Sequence, residues 1–221
     1  MGFGFSYGGG GGGDFLPIAK YDARAGRVFR VDKEDGVSTQ VDITRNFTAV
    51  FDFENIEGGW IRFNAGSAPD FVLAPIGQPM PDQPSPDHRK GVRVLIKLSK
   101  ECGGDVREVA GTASVFMNGL EAAYDQYLEG VAANPGKLPV MSLKDTVPVE
   151  TNSKTNKSTN YRPVFEITGW VKRPADLVAK PRGAGGAVAE EKPKSPPSTG
   201  STKVAPPKAA AKVVEDDDDF G

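Results

Sequence analysis

The chain has 221 residues, with 27 Lys and Arg against 29 Asp and Glu, so it carries no strong global field of either sign. One cysteine, Cys102, and one histidine, His88, exclude a disulfide framework and a cysteine-based zinc site, and argue against a nucleophile activated by histidine. No apolar run approaches the roughly 18 residues of a membrane span and no charged-then-apolar leader opens the chain, so a soluble protein of a reducing intracellular compartment is expected, with no membrane partner.

In chain order, residues 1–13 set Phe3, Phe5 and Tyr7 among glycines, a segment expected to be disordered because it has much backbone entropy to lose and little to bury. Residues 14–180 have globular composition. A short strand is expected through Val28 to Val31. Then Phe47, Ala49, Phe51 and Phe53 alternate onto one side of a strand, and Asn55 to Gly59 reads as the turn of a hairpin. The second arm of that hairpin puts Ile61 and Phe63 on the core side, with Trp60, Arg62 and Asn64 opposite. Residues 66–88 hold six prolines and read as a long loop.

Residues 90–99 form a third strand, with Val92, Val94, Ile96 and Leu98 inward and Arg93, Leu95 and Lys97 outward. Residues 106–130 place Val109, Phe116, Leu120, Ala123, Tyr124, Tyr127 and Leu128 near helical spacing, and Pro135 forbids continuation. Two more strands, within 138–150 and 161–174, flank the polar loop 151–160. The resulting class is mainly β with one helix. Five strands with the helix between the third and fourth is the element order of an OB-fold, a partly open five-stranded Greek-key barrel.

Alternation then sets Trp60 with Arg62, Arg93 with Lys97, and Trp170 with Lys172 on the outer faces, while Tyr161, Arg162, Lys154 and Lys157 border the polar loop. Flat aromatics interleaved with cations are what a single nucleic-acid strand needs, for stacking and for phosphate neutralisation. Single-stranded DNA is the expected ligand. His88, in the proline-rich loop, reads as a solvated side chain, and Cys102 as a small residue at a turn. Asp52, Glu54 and Glu57 cluster in sequence, but no metal site and no cofactor is expected from them.

Residues 181–214 are rich in Pro, Ala, Gly, Ser and Lys and lack an aromatic, a linker carrying 6 basic and 2 acidic residues. Residues 215–221 follow with 5 acids, then Phe220 and Gly221. Such an acidic tip after such a linker resembles the carboxyl ends of bacterial and phage single-stranded DNA-binding proteins. The resemblance implies that Asp216, Asp217, Asp218 and Asp219 mimic a DNA backbone and that Phe220 inserts into replication and recombination partners. It also implies the cytoplasm of a bacterium or a phage-infected cell, and no catalytic activity. A homo-oligomer stays open, as do two alternatives: a phage structural or assembly protein, and a carboxylate-dependent nuclease.

Overall fold

In the computed structural model, residues 16–64, 68–152 and 157–178 are described. The Gly-rich start, Lys154, the linker and the acidic tail lie outside them. The fold is mainly β with one α-helix. In chain order it runs β1 (Ile18–Asp22), β2 (Arg27–Glu34), β3 (Val37–Asp42), β4 (Thr48–Phe51), β5 (Glu57–Arg62), β6 (Asp70–Pro75), β7 (Arg89–Leu98), β8 (Val106–Gly111), α1 (Ser114–Val131), β9 (Lys137–Asn152) and β10 (Lys157–Lys172).

All ten strands belong to one sheet, in the order β10-β9-β4-β7-β8-β1-β2-β3, with β5 paired to β6 and β7 beside that path. The expected count of five strands was too low, and the sheet is not closed into a barrel. Its two flanks nevertheless approach: the Tyr161 amide donates to the Ala23 carbonyl at 2.6 Å, and the Tyr21 hydroxyl donates to the Tyr161 carbonyl at 2.9 Å. Phe47, Phe51, Ile96, Met141 and Phe165 fill the concave side, and α1 covers it with Phe116, Leu120, Ala123 and Tyr127.

The expected hairpin between residues 47 and 63 does not form. β4 and β5 both run antiparallel to β7, one after the other along the same edge. Between the pairs Phe51–Ile96 and Glu57–Arg93 lie five residues on this chain segment, Asp52 to Ile56, against two on β7, Val94 and Leu95, a surplus of three. The surplus is the 3₁₀ turn Phe53–Asn55, which drops the Phe53 ring between Phe51, Tyr124 and Tyr127. An odd insertion reverses which alternate residues face the core, because the side-chain period of a strand is two. Trp60 therefore pairs with Lys90 in line with Val92, and Ile61 lies in line with Arg93. This is the reverse of the expected assignment.

Three other expectations are corrected. Residues 106–111 are strand rather than helix, since they pair with β7 along their whole length and Val109 enters the core from the sheet. Residues 70–75 of the proline-rich stretch form β6, because Pro69 and Pro75 fall at or beyond its ends and leave the interior amides free to bond β5. The polar loop 151–160 is shorter than expected, the β9–β10 ladder reaching Asn152 and Lys157.

After β10 the chain turns back over the outer face. Arg173 grips Asp52 with both guanidinium nitrogens, Nη1 to Oδ2 at 2.8 Å and Nη2 to Oδ1 at 2.6 Å, and reaches Glu54 at 2.8 Å. Asp52 is 0% exposed and also accepts two 3.0 Å bonds from Asn55 Nδ2. The hydrogen bonds to Asp52 raise the Arg173 pKa above its ordinary value, so the guanidinium stays charged. Leu177 then packs on Leu95 and Leu138, and Asp176 pairs with Lys97.

Removing one partner of a buried ion pair strands the other, at a cost of about 3–5 kcal/mol. Arg173 itself is 31% exposed, so Arg173→Ala is expected to cost about 3 kcal/mol, the low end of that range. Urea denaturation of the variant against wild type measures it, and a change under about 1 kcal/mol would show that water replaces the guanidinium.

Candidate nucleic-acid interface

The reversed phase of β5 contributes one wall of a groove that lies at the end of the sheet, beside the start of α1. It encloses about 440 Å³ between the β5–β6 hairpin and strands β8 and β1, lined by Ile18, Lys20, Tyr21, Phe63, Phe71 and Phe116 among others. Phe63 stands just past the end of β5, where no further strand neighbour covers it, and is 53% exposed. Phe71 pairs with Ile61 across the hairpin, and the Arg93 guanidinium sits 5.7 Å from the centre of its ring. Tyr21 stacks on Phe116 at 5.7 Å with an interplanar angle of 23°. Lys20 is exposed and forms no salt bridge among the described residues.

On the Arg93 side of the groove one cation faces two acids. Arg93 donates through Nε to Glu57 at 2.7 Å and through Nη1 to Glu108 at 3.2 Å, so one cation offsets part of the charge of two half-buried or buried acids. Burial pushes the Tyr21 phenol up to about 12, the neighbouring Asp22 carboxylate acting in the same direction.

The residues nominated from sequence are distributed as follows. Tyr161 accepts the Tyr21 hydroxyl at its carbonyl but is not among the groove's lining residues, and neither is Arg162, which is exposed. Lys157 begins β10 on the same hairpin, and Lys154 falls outside the described residues. Trp60 is half-buried, its ring N–H donating to the Pro81 carbonyl at 2.8 Å. Arg62 pairs with Asp70 at 3.4 Å, and Arg93 and Lys97 are held by carboxylates. Trp170 lies 5.9 Å from Tyr127, so close to α1 that a methyl group on Gly130 would come within 2.4 Å of its ring. Lys172 is exposed at the far end of β10. The tail residues Asp216, Asp217, Asp218, Asp219 and Phe220 lie outside the described residues.

The sequence reading passed over Lys20, Tyr21 and Phe71 and set Phe63 in the core. A strand with Lys20 and Tyr21 beside each other was a usable signal, but only the pairing of β1 with β8 places it at a groove.

His88 is not solvated. It is 3% exposed, with Nδ1 at 2.8 Å from Ser85 Oγ and Nε2 at 3.1 Å from Asp70 Oδ2, and it pins the proline-rich loop to β6. Cys102 does sit at a turn, wholly buried, its thiol donating to the Asn46 carbonyl at 3.1 Å. Asp52 and Glu54 hold Arg173 and Glu57 holds Arg93. Among the described residues no group of three His, Cys, Asp or Glu is placed to bind a metal ion. None of the helices described is long and apolar enough to cross a membrane.

No protein-family model, curated protein or solved structure matches the chain.

The folded state holds the Tyr21 proton more tightly than the unfolded chain, whose phenol titrates near 10.0. Stability from this group is therefore complete below pH about 10 and is lost as pH rises toward about 12. Denaturation midpoints on either side of that window should converge for Tyr21→Phe and diverge for wild type. An equal alkaline loss in both proteins would place the phenol in water.

Proposed function

We propose that the protein is a non-catalytic, sequence-tolerant binder of single-stranded DNA that protects the strand and recruits replication or recombination proteins through its acidic tail. The observation that carries this is the groove. Phe63, Phe71 and Tyr21 line it with Lys20 among them, and rings beside a cation suit a single strand. Tyr161, Arg162, Lys157 and, by sequence, Lys154 are further candidates for contact with the sugar-phosphate backbone. Arg62, Arg93, Lys97, Lys172 and the two tryptophans are secondary, since most of them already have protein partners.

The strand order supports an OB-like reading. With β4 and β5 taken as one interrupted first strand, β7, β8, β9 and β10 are the second to fifth, and α1 lies between third and fourth. The neighbours are first with second, second with third, first with fourth and fourth with fifth. An OB barrel would close by setting the third strand beside the fifth. Here β1 stands in that place, parallel to β8 on one side and bonded to Tyr161 on the other.

The exit of the chain suits the tail's role. Leu177 covers Leu95, two residues along β7 from Arg93, so residue 178 is reached on the sheet face where Arg93 meets Phe71. A 34-residue coil has a mean reach of roughly 30–35 Å. The acids then act as a tethered phosphate mimic that competes with the strand.

Fluorescence anisotropy with an unstructured oligonucleotide tests the binding. Affinity is expected to fall as salt rises, and Phe63→Ala and Phe71→Ala are each expected to cost about 1–3 kcal/mol of binding. Phe63 is the cleaner variant because its exposure leaves folding intact. Absence of binding at low salt would overturn the reading in favour of a structural or assembly protein.

Deletion of residues 215–221 is expected to leave or raise strand affinity in the same assay. A deletion that weakens binding would eliminate competition by the tail.

A further inference from the structure

β3 ends the hydrogen-bonded order of the sheet, so one of its edges is unpaired among the described residues. Asp35 and Gly36, both at positive φ, form a two-residue turn that sets Glu34 opposite Val37. Residues flanking such a turn exchange both backbone bonds, and the pattern alternates along the ladder. Val37, Thr39 and Val41 thus direct their amides and carbonyls to β2, whereas Ser38, Gln40 and Asp42 direct theirs outward.

Natural sheets guard an edge of this kind with lysine, proline, a bulge or an inward charge. From Val37 to Val41 this strand has none of them. Its ladder to β2 runs through six pairs without a shift in register, and residues 37–40 are all exposed.

We propose that this edge pairs antiparallel with β3 of a second copy of the chain, about a two-fold axis at Thr39. In that register Thr39 meets Thr39, Ser38 meets Gln40 and Val37 meets Val41. Polar side chains oppose polar ones and β-branched oppose β-branched, pairings that favour a sheet. The backbone parity agrees: Ser38 and Gln40, whose groups point outward, form the hydrogen-bonded pairs, and Thr39 forms the close pair between them.

A slip of one residue sets outward-bonding residues against inward-bonding ones and gives no ladder. A slip of two that centres the axis on Gln40 brings the charged Asp42 into the pairing, and the opposite slip shortens it. The self-complementary run Val37-Ser38-Thr39-Gln40-Val41 therefore favours a copy of itself over an unrelated strand. This pairing is independent of what the groove binds.

Five residues a side fall well short of the roughly 800 Å² per partner of a stable complex. The dimer is accordingly weak and concentration-dependent, and a covalent trap is the decisive readout.

In the close pair at Thr39 the two Cα atoms lie about 4.5 Å apart, within disulfide reach. Cys102 is buried and does not compete. Under mild oxidation, full-length Thr39→Cys is expected to run as a dimer on a non-reducing gel. Ser38→Cys alone should not, whereas an equal mixture of Ser38→Cys and Gln40→Cys should. Ser38→Pro, which removes an amide that β2 does not use, should abolish concentration-dependent dimer in sedimentation with the circular dichroism spectrum unchanged. The proposal is overturned if Thr39→Cys stays monomeric, if Ser38→Cys alone cross-links equally well, or if a folded Ser38→Pro still self-associates.

Discussion

The fold turns on the Arg173 clamp. Asp52 lies at the point where β4 ends, with its amide donating to the Leu95 carbonyl at 2.9 Å, and a wholly buried carboxylate there would be untenable alone. Arg173 supplies the counter-charge from 121 residues away, and Asn55 occupies the remaining lone pairs. A buried pair of this sort is weak evidence for net stability, since an apolar replacement is often as stable. Its value here is positional. The clamp fixes the turn Phe53–Asn55, the turn contributes three residues, and three residues reverse the phase of β5. Ile61 and Phe71 share the outer face because of that reversal, so the Phe63–Phe71 wall of the groove depends on the turn that the ion pair braces.

This chain of causes also explains what could be read in the sequence. The inward face Phe47, Ala49, Phe51 and Phe53 was legible in the alternation, and each of these is buried; so was that of β7, where Val94, Ile96 and Leu98 are buried, although Leu95 on the opposite side is buried as well, beneath Leu177. The phase of β5 was not legible, since alternation assumes a continuous strand and nothing in residues 52–56 announces that Asp52 will be met by a residue near the end of the domain. β8 was lost for a related reason: its apolar residues are compatible with helical spacing when read together with those of α1, and only the ladder to β7 separates them. β3 has too few apolar residues to signal a buried face. Only Val41 near its end packs against the core, and residues 37–40 are exposed at the edge.

The groove's electrostatics fit the balanced composition. Arg93 would be the natural phosphate contact on β7, yet it is tied to Glu57 and Glu108 and lies against Phe71. Its part is to stiffen the wall and orient the ring. On the proposed function, attraction for a strand comes from ring stacking with a few rim cations, a mode tolerant of sequence because every base has a flat face. The near absence of net charge over the whole chain, which at first counts against a nucleic-acid ligand, becomes the expected cost of spending arginines on the frame: Arg107 and Arg173, like Arg93, hold buried or half-buried carboxylates.

The amino-terminal meander links the two proposed surfaces and keeps them apart. β1 contributes Lys20 and Tyr21 to the groove, while β3, two strands away, carries the open edge. With strands about 4.8 Å apart, pairing through β3 would put the two copies of β1 five spacings, roughly 24 Å, from each other. A two-fold axis would also turn the two grooves in opposite directions along the strands. One continuous strand could occupy both only by reversing its path between them. Self-association through β3 therefore favours two separate segments of nucleic acid, or a looped one, over a single extended strand. The edge strand and the groove are in this sense competing constraints on how many copies a short oligonucleotide can hold.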